Sequence, residues 1–307
     1  MTPASLASRA KRVPPGLRYM AYGAFWFSIM SLLVKVAGQR LASTEIVLVR
    51  AVVTLVLSIL LLRRAGLSPW GRRRGRLILR GVFGFLALMC FYFAIVHLPL
   101  ADATVLQYTN PIFTAILAAL FLGERLAPSE IASVLASLVG VLLVARPSFL
   151  FGGLSAPPLW EVGIAVAGAL CSASAYVTVR SLGTSEDPLV IVFYFPLVTV
   201  PLSIPAVVPI WQWPTPWEWA ALVGIGVATQ IAQVNMTRGL QLERAGRATA
   251  ISYLQVLFAG AWGMMFFGEI PTLLTVAGAA IIVLSTLQIA TRHRRTPVEQ
   301  RTQPAPG

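Results

Sequence analysis

Two stretches of this chain, 145 residues apart, carry the same pattern of residues. The first reads LPLADATVLQYTNPIFTAILAALFLGERL at positions 98–126, and the second reads ERAGRATAISYLQVLFAGAWGMMFFGEIP at positions 243–271. Tyr108 recurs as Tyr253, and the Gly-Glu pair near the end of the first stretch recurs near the end of the second. An internal repeat predicts two structural units that share one fold, and this limits the architecture more than any single residue does.

Ten apolar runs along the chain are each long enough to cross a bilayer as a helix, which takes about 20 residues. The composition agrees, because 57% of the residues are hydrophobic and only 11% are charged, whereas soluble domains carry about 25% charged residues. The sequence therefore predicts an all-α integral membrane protein with ten transmembrane helices. The predicted spans cover residues 17–37, 44–63, 77–97, 101–122, 128–146, 159–181, 187–209, 217–239, 245–267 and 271–291.

The offset of 145 residues holds from the first span to the fifth without a gap, so each repeat contains five helices. Because five is an odd number, the two repeats must enter the membrane from opposite sides, and inverted repeats of this kind are typical of secondary transporters. The predicted organisation is a cytoplasmic N-terminal arm at 1–16, a first repeat at 17–147, a periplasmic linker at 148–158, a second repeat at 159–291 and a basic cytoplasmic tail at 292–307.

The net charge of +13 could suggest a nucleic-acid partner, but the placement of the charges indicates membrane topology instead. All of the 24 Lys and Arg residues except Lys35, Arg40, Arg50 and Arg146 are assigned to one side of the predicted spans, either in the two tails, in the loops on that side, or near the span ends that meet those tails and loops. In this count Arg80 belongs to the loop between the second and third spans. Since Lys and Arg concentrate on the cytoplasmic side of membrane proteins, we expect both termini in the cytoplasm and the chain in a bacterial inner membrane.

Taken together, the repeat and its motifs resemble the drug/metabolite transporter superfamily, and in particular its EamA-domain members. The resemblance is carried by residues 98–126, by VKVAGQRLASTEIVLVRA at 34–51 and by the degenerate second copy at 243–271. It implies an EamA-like transporter fold and a metabolite permease without enzymatic activity. Members of the superfamily move amino acids, vitamins, nucleosides, adenosyl compounds and toxic metabolites on one scaffold, so the resemblance leaves the substrate open.

Long polar side chains inside the spans are the candidates for a substrate site, because polar groups are costly at bilayer depth and their default interpretation is functional. The alternative for each of them is a hydrogen bond between helices that only stabilises packing. The second copy has Gln255 where the first has Asn110, so any site is expected to be asymmetric. The candidates are Gln107, Tyr108, Asn110, Tyr176, Gln230, Gln233, Tyr253 and Gln255.

A second candidate group is a set of charged residues near the outer ends of the first two spans. Arg50 lies about two turns inside the second span, Lys35 is in the last turn of the first, and Glu45 is close enough in sequence to pair with either. One interpretation is a gate that breaks and re-forms during transport, and the other is an ion network that holds the two helices together.

The function predicted from these features is secondary or facilitated transport of a small polar or aromatic organic metabolite by alternating access, the solute being a vitamin, an adenosyl compound or an amino-acid-like molecule. An exporter of apolar drugs or lipids is the main alternative. An intramembrane lipid-modifying enzyme is a distant one, since the chain lacks clustered catalytic or metal-binding residues. We expect no cofactor, no metal and no nucleic acid; the partners are the solute and the lipid bilayer, with a homodimer left open.

Overall fold

The computed structural model describes residues 13–98, 100–124, 127–151, 158–268, 270 and 272–291. Most of the predicted N-terminal arm, residues 152–157 of the predicted linker and all of the predicted tail lie outside these residues. Within the described part of the chain, ten helices are long and apolar enough to cross a membrane. The predicted all-helical, ten-span fold is therefore confirmed.

The ten spans are numbered here in chain order, and two of them consist of two helical segments. Short helical turns follow spans 5, 6 and 7 at Ser148–Phe151, Gly183–Ser185 and Val208–Ile210. Span 1 is Pro15–Ala37, span 2 Ser43–Arg64, span 3 Arg74–His97, span 4 Leu100–Gln107 with Asn110–Leu122, span 5 Pro128–Ala145, span 6 Leu159–Leu182, span 7 Pro188–Val207, span 8 Pro216–Leu242, span 9 Ala245–Ala250 with Leu254–Phe267, and span 10 Leu273–Thr291.

Consecutive spans alternate in direction, which assigns every connection to one of two faces. The start of span 1 and the connections 2–3, 4–5, 6–7 and 8–9 lie on the side that we call the basic face. Glu124 and Arg180, which belong to this face, form an ion pair at 2.6 Å. On the opposite face, Nε of Arg40 donates to Glu218 at 2.7 Å. This hydrogen bond raises the pKa of Arg40 above its ordinary value, so the guanidinium stays charged.

The most extensive helix contacts join spans from different repeats. Span 1 packs on span 8, and the equivalent pair under the repeat, span 6 on span 3, packs in the same way. Spans 2 and 8 and spans 7 and 3 form a second equivalent pair of contacts. The two repeats therefore interlock into a first mixed bundle, spans 1, 2, 8 and 9, and a second mixed bundle, spans 3, 4, 6 and 7. Spans 2 and 7 join the bundles, and spans 5 and 10 pack on each other.

Glycines allow the helices of each mixed bundle to approach closely. A Cβ added at Gly226 would lie 2.3 Å from Cγ1 of Val53, and one added at Gly81 would lie 2.8 Å from Cγ2 of Val198. Gly81 and Val198 are offset by 145 residues from Gly226 and Val53, so the same contact is made twice. Small residues at crossings are how membrane helices associate, because lipid supplies no hydrophobic force to drive them together.

Spans 4 and 9 are both interrupted at the same position of the repeat. Span 4 turns at residues 108–109, just before the Asn110-Pro111 pair of its second segment. Proline has no N–H to donate, so it fits the first turn of a helix and the break falls before it. Span 9 passes through a 3-10 turn at Ile251–Tyr253, although no proline lies there. The Asn110-Pro111 pair predicts the break in span 4. The break in span 9 has no such residue and is expected only because span 9 is the repeat equivalent of span 4.

Filling a glycine contact between spans 5 and 10 should destabilise the protein. A Cβ at Gly140 would lie 2.7 Å from the carbonyl oxygen of Gly278, a backbone atom that cannot rotate away. Gly140→Ala should therefore lower the free energy of unfolding by about 1–3 kcal/mol. In Gly163→Ala the new methyl would meet nothing within 4 Å, and this control should be neutral or stabilising by up to about 1 kcal/mol. The melting temperatures of the purified proteins measure both effects, and equal values would contradict the packing argument.

Candidate functional site

Two adjoining cavities lie between the mixed bundles. The first has a volume of about 110 Å³, the second has about 180 Å³, and both are bounded by Gln107 and Tyr176. The other residues around the first cavity are Arg80, Gly84, Ala87, Leu88, Ser172, Ala175, Phe195 and Gln233. Those around the second are Met20, Gly23, Ala24, Phe27, Phe91, Thr104, Tyr108, Asn110, Met236, Ser252 and Gln255.

Six of the eight candidate substrate residues lie at these cavities. They come from four different spans, and three of them lie at the break in span 4. The six are Gln107, Tyr108, Asn110, Tyr176, Gln233 and Gln255.

The polar groups around the cavities are only partly hydrogen-bonded within the protein. Nε2 of Gln107 donates to Oγ of Ser172 at 3.2 Å. The amide oxygen of Asn110, a residue only 7% exposed, has no hydrogen-bond partner in the described structure. Buried polar groups are nearly always hydrogen-bonded. An unpaired amide at a cavity wall is therefore a group that a bound solute can satisfy.

The other two candidates, Gln230 and Tyr253, make bonds between helices. Gln230 is buried, and its Nε2 donates to Oγ of Ser58 in span 2 at 3.0 Å. The side chain of Tyr253 is completely buried, and its hydroxyl donates to the carbonyl oxygen of Tyr108 at 3.0 Å. The rings of the two tyrosines lie 5.9 Å apart. This contact joins the breaks of spans 4 and 9 and supplies a partner to a carbonyl at the interruption.

Arg80 is a residue of the first cavity that the sequence analysis assigned to a cytoplasmic loop. It lies about 9 Å inside span 3, measured from Arg74 at 1.5 Å per residue, and is 2% exposed. Its Nη2 donates to Oε1 of Gln233 at 3.0 Å, and the guanidinium lies over the ring of Phe195 at 4.9 Å. Span 3 begins at Arg74 rather than at the predicted residue 77, which places Arg80 deeper than expected. The sequence did contain a sign of this burial, because Arg80 lies inside the predicted span 77–97 and not in the loop before it.

Within the described part of the chain, the contacts of the three candidate gate residues are made to different partners. Both carboxylate oxygens of Glu45 accept backbone N–H groups, from Ala42 at 3.1 Å and from Gln212. Glu45 thereby caps span 2 and holds the 7–8 connection, and no ion pair between it and Arg50 is found among the described residues. Arg50 is 8% exposed, and its Nη1 contacts the sulfur of Met30. The ammonium of Lys35 lies over the ring of Phe267 in span 9 at 4.0 Å.

The fold and the cavity define a class of protein, a multi-pass membrane transport protein built from inverted repeats. Residues 14–146 and 159–291 each match the EamA-like transporter family, and the chain belongs to this family. This confirms the resemblance given by the motifs and identifies a transporter rather than an enzyme.

Two characterised relatives and one solved structure extend the comparison. The chain is 34% identical over 280 residues to the pseudopaline exporter CntI of Pseudomonas aeruginosa, which covers 90% of this chain and 95% of the relative. It is 33% identical over 290 residues to human solute carrier family 35 member G1, with 90% of this chain and 79% of the relative covered. A solved crystal structure superposes with a TM-score of 0.78 at 19% identity, covering 89% of this chain and 95% of the other. This last likeness supports the fold alone.

The contact between the two breaks should contribute to stability. Tyr253→Phe leaves the carbonyl of Tyr108 without its partner, and an unsatisfied buried group costs about 1–3 kcal/mol. We expect the melting temperature of the purified variant to fall. Tyr22→Phe removes the same hydroxyl from an exposed tyrosine on span 1 and should leave the melting temperature unchanged. A Tyr253→Phe variant as stable as Tyr22→Phe would contradict this role for the hydroxyl.

Proposed function

We propose that the protein transports a small polar or aromatic organic metabolite through the two adjoining cavities by alternating access. The observation that carries the proposal is the polar lining at the break of span 4, where amide, hydroxyl and phenol groups face a buried space between the mixed bundles. Binding sites at interrupted helices near the bilayer midplane recur in secondary transporters. The similarity to an exporter of pseudopaline supports a metabolite as the transported solute and export as the direction of transport.

The second cavity also has an apolar wall. Met20, Phe27, Phe91 and Met236 line it together with the polar groups. Methionine and aromatic side chains adapt to flat or apolar parts of a ligand. A solute with a polar end and an aromatic or aliphatic body fits both sides. Export of apolar drugs or lipids remains the alternative function. In that case the apolar residues of the second cavity would bind the solute, and the polar groups would not be needed.

The moving units in the proposed cycle are the two mixed bundles rather than the two five-helix repeats. Rocking one repeat against the other would separate the closely packed pairs of spans 1 and 8 and of spans 3 and 6. Motion of the mixed bundles leaves these contacts intact. It requires breaking polar contacts that cross between the bundles. On the basic face these include the bond from Nη1 of Arg180 to the carbonyl of Gln241 at 2.6 Å and that from the N–H of Ala245 to Glu124 at 2.8 Å.

We further propose that the basic face is cytoplasmic and that the protein lies in a bacterial inner membrane. The support is the excess of Lys and Arg on that side. The Glu124–Arg180 cluster then closes the cytoplasmic side of the pathway.

Substrate binding tests the proposal directly. The purified protein would be screened by thermal shift against flavins, adenosyl compounds, nucleosides and amino acids, because a ligand that binds only the native state raises the melting temperature. One class should give a saturable shift, and radiolabelled solute of that class should exchange across proteoliposomes. Gln107→Ala should weaken both by about tenfold, as expected for one lost hydrogen bond of about 1–1.5 kcal/mol.

Gln230→Ala is the matched control for that variant. It removes a buried glutamine that bonds to Ser58 away from the cavities, so it should lower stability while leaving ligand affinity unchanged. Stabilisation by apolar drugs alone would favour the alternative function, export of apolar drugs or lipids. Equal ligand affinity in the Gln107→Ala and Gln230→Ala variants would show that Gln107 is not part of the binding site.

The proposed gate at Arg50 has its own test. Arg50 lies on span 2 in the first mixed bundle, and its Nη2 is buried without a partner in the described structure. Arg50→Ala should abolish transport in proteoliposomes while folded protein is still recovered from the membrane. Arg64→Ala, at the exposed end of the same helix, serves as the control. Normal transport by Arg50→Ala would rule out the gate.

A further inference from the structure

The first cavity holds a buried positive charge that no described acidic residue neutralises. Arg80 is the one charged residue among those that line either cavity, and its recorded partners are the amide of Gln233 and the ring of Phe195. Burying an ion without a counter-ion is expensive. Such a residue persists where something outside the chain supplies the opposite charge.

The hydrogen-bonding capacity of this group is also largely unused. A guanidinium has five N–H donors, and in the described structure Arg80 uses one of them, toward Gln233. Its Nε is buried and has no partner there. Tyr176 and Gln233 also line the first cavity, and neither the phenol of Tyr176 nor the amide nitrogen of Gln233 makes a hydrogen bond to a described residue. Residues that carry hydrogen-bond donors therefore border this cavity from three spans.

The guanidinium is held in a slot that its own helix provides. A Cβ added at Gly84, one turn after Arg80, would lie 2.5 Å from Nη1 of Arg80 and 2.8 Å from the ring of Phe195. Glycine at this position leaves room for the guanidinium between span 3 and the aromatic ring. Arginine stacked in this way keeps its edge available for a planar, two-point hydrogen bond.

We propose that Arg80, Gln233 and Tyr176 form a subsite for the carboxylate group of the transported solute. The inference rests on the proposed transport function and names the chemical class of its substrate. A single cation matches a carboxylate of charge −1, whereas a phosphate group carries about −1.5 to −2 and would stay partly unneutralised. The body of the solute extends past Gln107 toward the apolar wall of the second cavity.

Three probes with the same ring separate the possible ligand groups. Benzoate carries the carboxylate, benzamide is its neutral counterpart of similar shape, and phenyl phosphate carries a larger charge. In a thermal-shift titration of the purified protein, benzoate should stabilise in a saturable way, and benzamide should bind at least about tenfold more weakly, since hydrogen bonds to charged groups are the stronger ones.

Two variants attack the subsite in different ways. Arg80→Gln removes the charge and should weaken benzoate binding about tenfold or more, without lowering the melting temperature of the ligand-free protein, because an uncompensated buried charge is lost. Gly84→Ala keeps the charge but displaces the guanidinium, and it should weaken benzoate binding and leave benzamide binding unchanged. Arg74→Gln, at the exposed start of the same helix, should match the parent protein.

Several results would overturn the subsite. They are the absence of a benzoate shift, equal binding of benzoate and benzamide, binding of phenyl phosphate alone, or benzoate binding that survives both variants. A lowered melting temperature of Arg80→Gln with unchanged benzoate affinity would likewise identify a packing residue. Arg80-dependent benzoate binding without transport of any solute of the screen in proteoliposomes would uphold a carboxylate-binding site and refute the transport proposal. Transport of neutral polar solutes that Arg80→Gln leaves unchanged would uphold the transport proposal and refute the subsite.

Discussion

Backbone hydrogen bonding in an apolar medium is the constraint on which this structure depends. Lipid offers no partner to an N–H or a carbonyl, so an interrupted helix is tolerated only where protein or water satisfies the freed groups. Here two spans are interrupted, and the interruptions meet. Tyr253 bonds to the carbonyl of Tyr108, while Tyr108 itself borders the second cavity. The duplicated tyrosine thus serves once as a structural group and once as a wall of the site.

The interlocking of the repeats follows from the same environment. Helices in lipid associate through close packing, and the glycines that permit it are placed so that a span of one repeat approaches a span of the other. Gly226 against Val53 and Gly81 against Val198 are two copies of one such contact. A duplicated chain that packs in this way has no freely separable halves. The cavities lie along the boundary between the mixed bundles, which is where we propose that the protein opens.

The sequence predicts the spans well because the hydrophobic runs are long and nothing competes with the membrane for them. It predicts the candidate site less completely. Gln230 and Gln233 lie three residues apart on one stripe of span 8, and only the neighbouring helices decide that one bonds to Ser58 while the other borders a cavity. Arg80 is near a helix end. The concentration of Lys and Arg on that side of the membrane is enough to explain an arginine at this position, so its position alone does not require that it is buried. Its depth depends on where span 3 begins and on the slot at Gly84, and neither is visible in a hydrophobicity pattern.

Two of the buried arginines, Arg50 and Arg80, show how the repeats have diverged. Arg50 corresponds to Phe195 in the second repeat, and Arg80 corresponds to Ile225. The aromatic ring that stands at the place of Arg50 is the one on which Arg80 stacks. Each arginine therefore has an apolar residue at its equivalent position. Arg80 lies toward the basic face and Arg50 toward the opposite face. Of these two arginines, only Arg80 is among the described residues that line the cavities. If the cavities form the proposed transport path, a charged solute would meet different potentials from the two sides of the membrane.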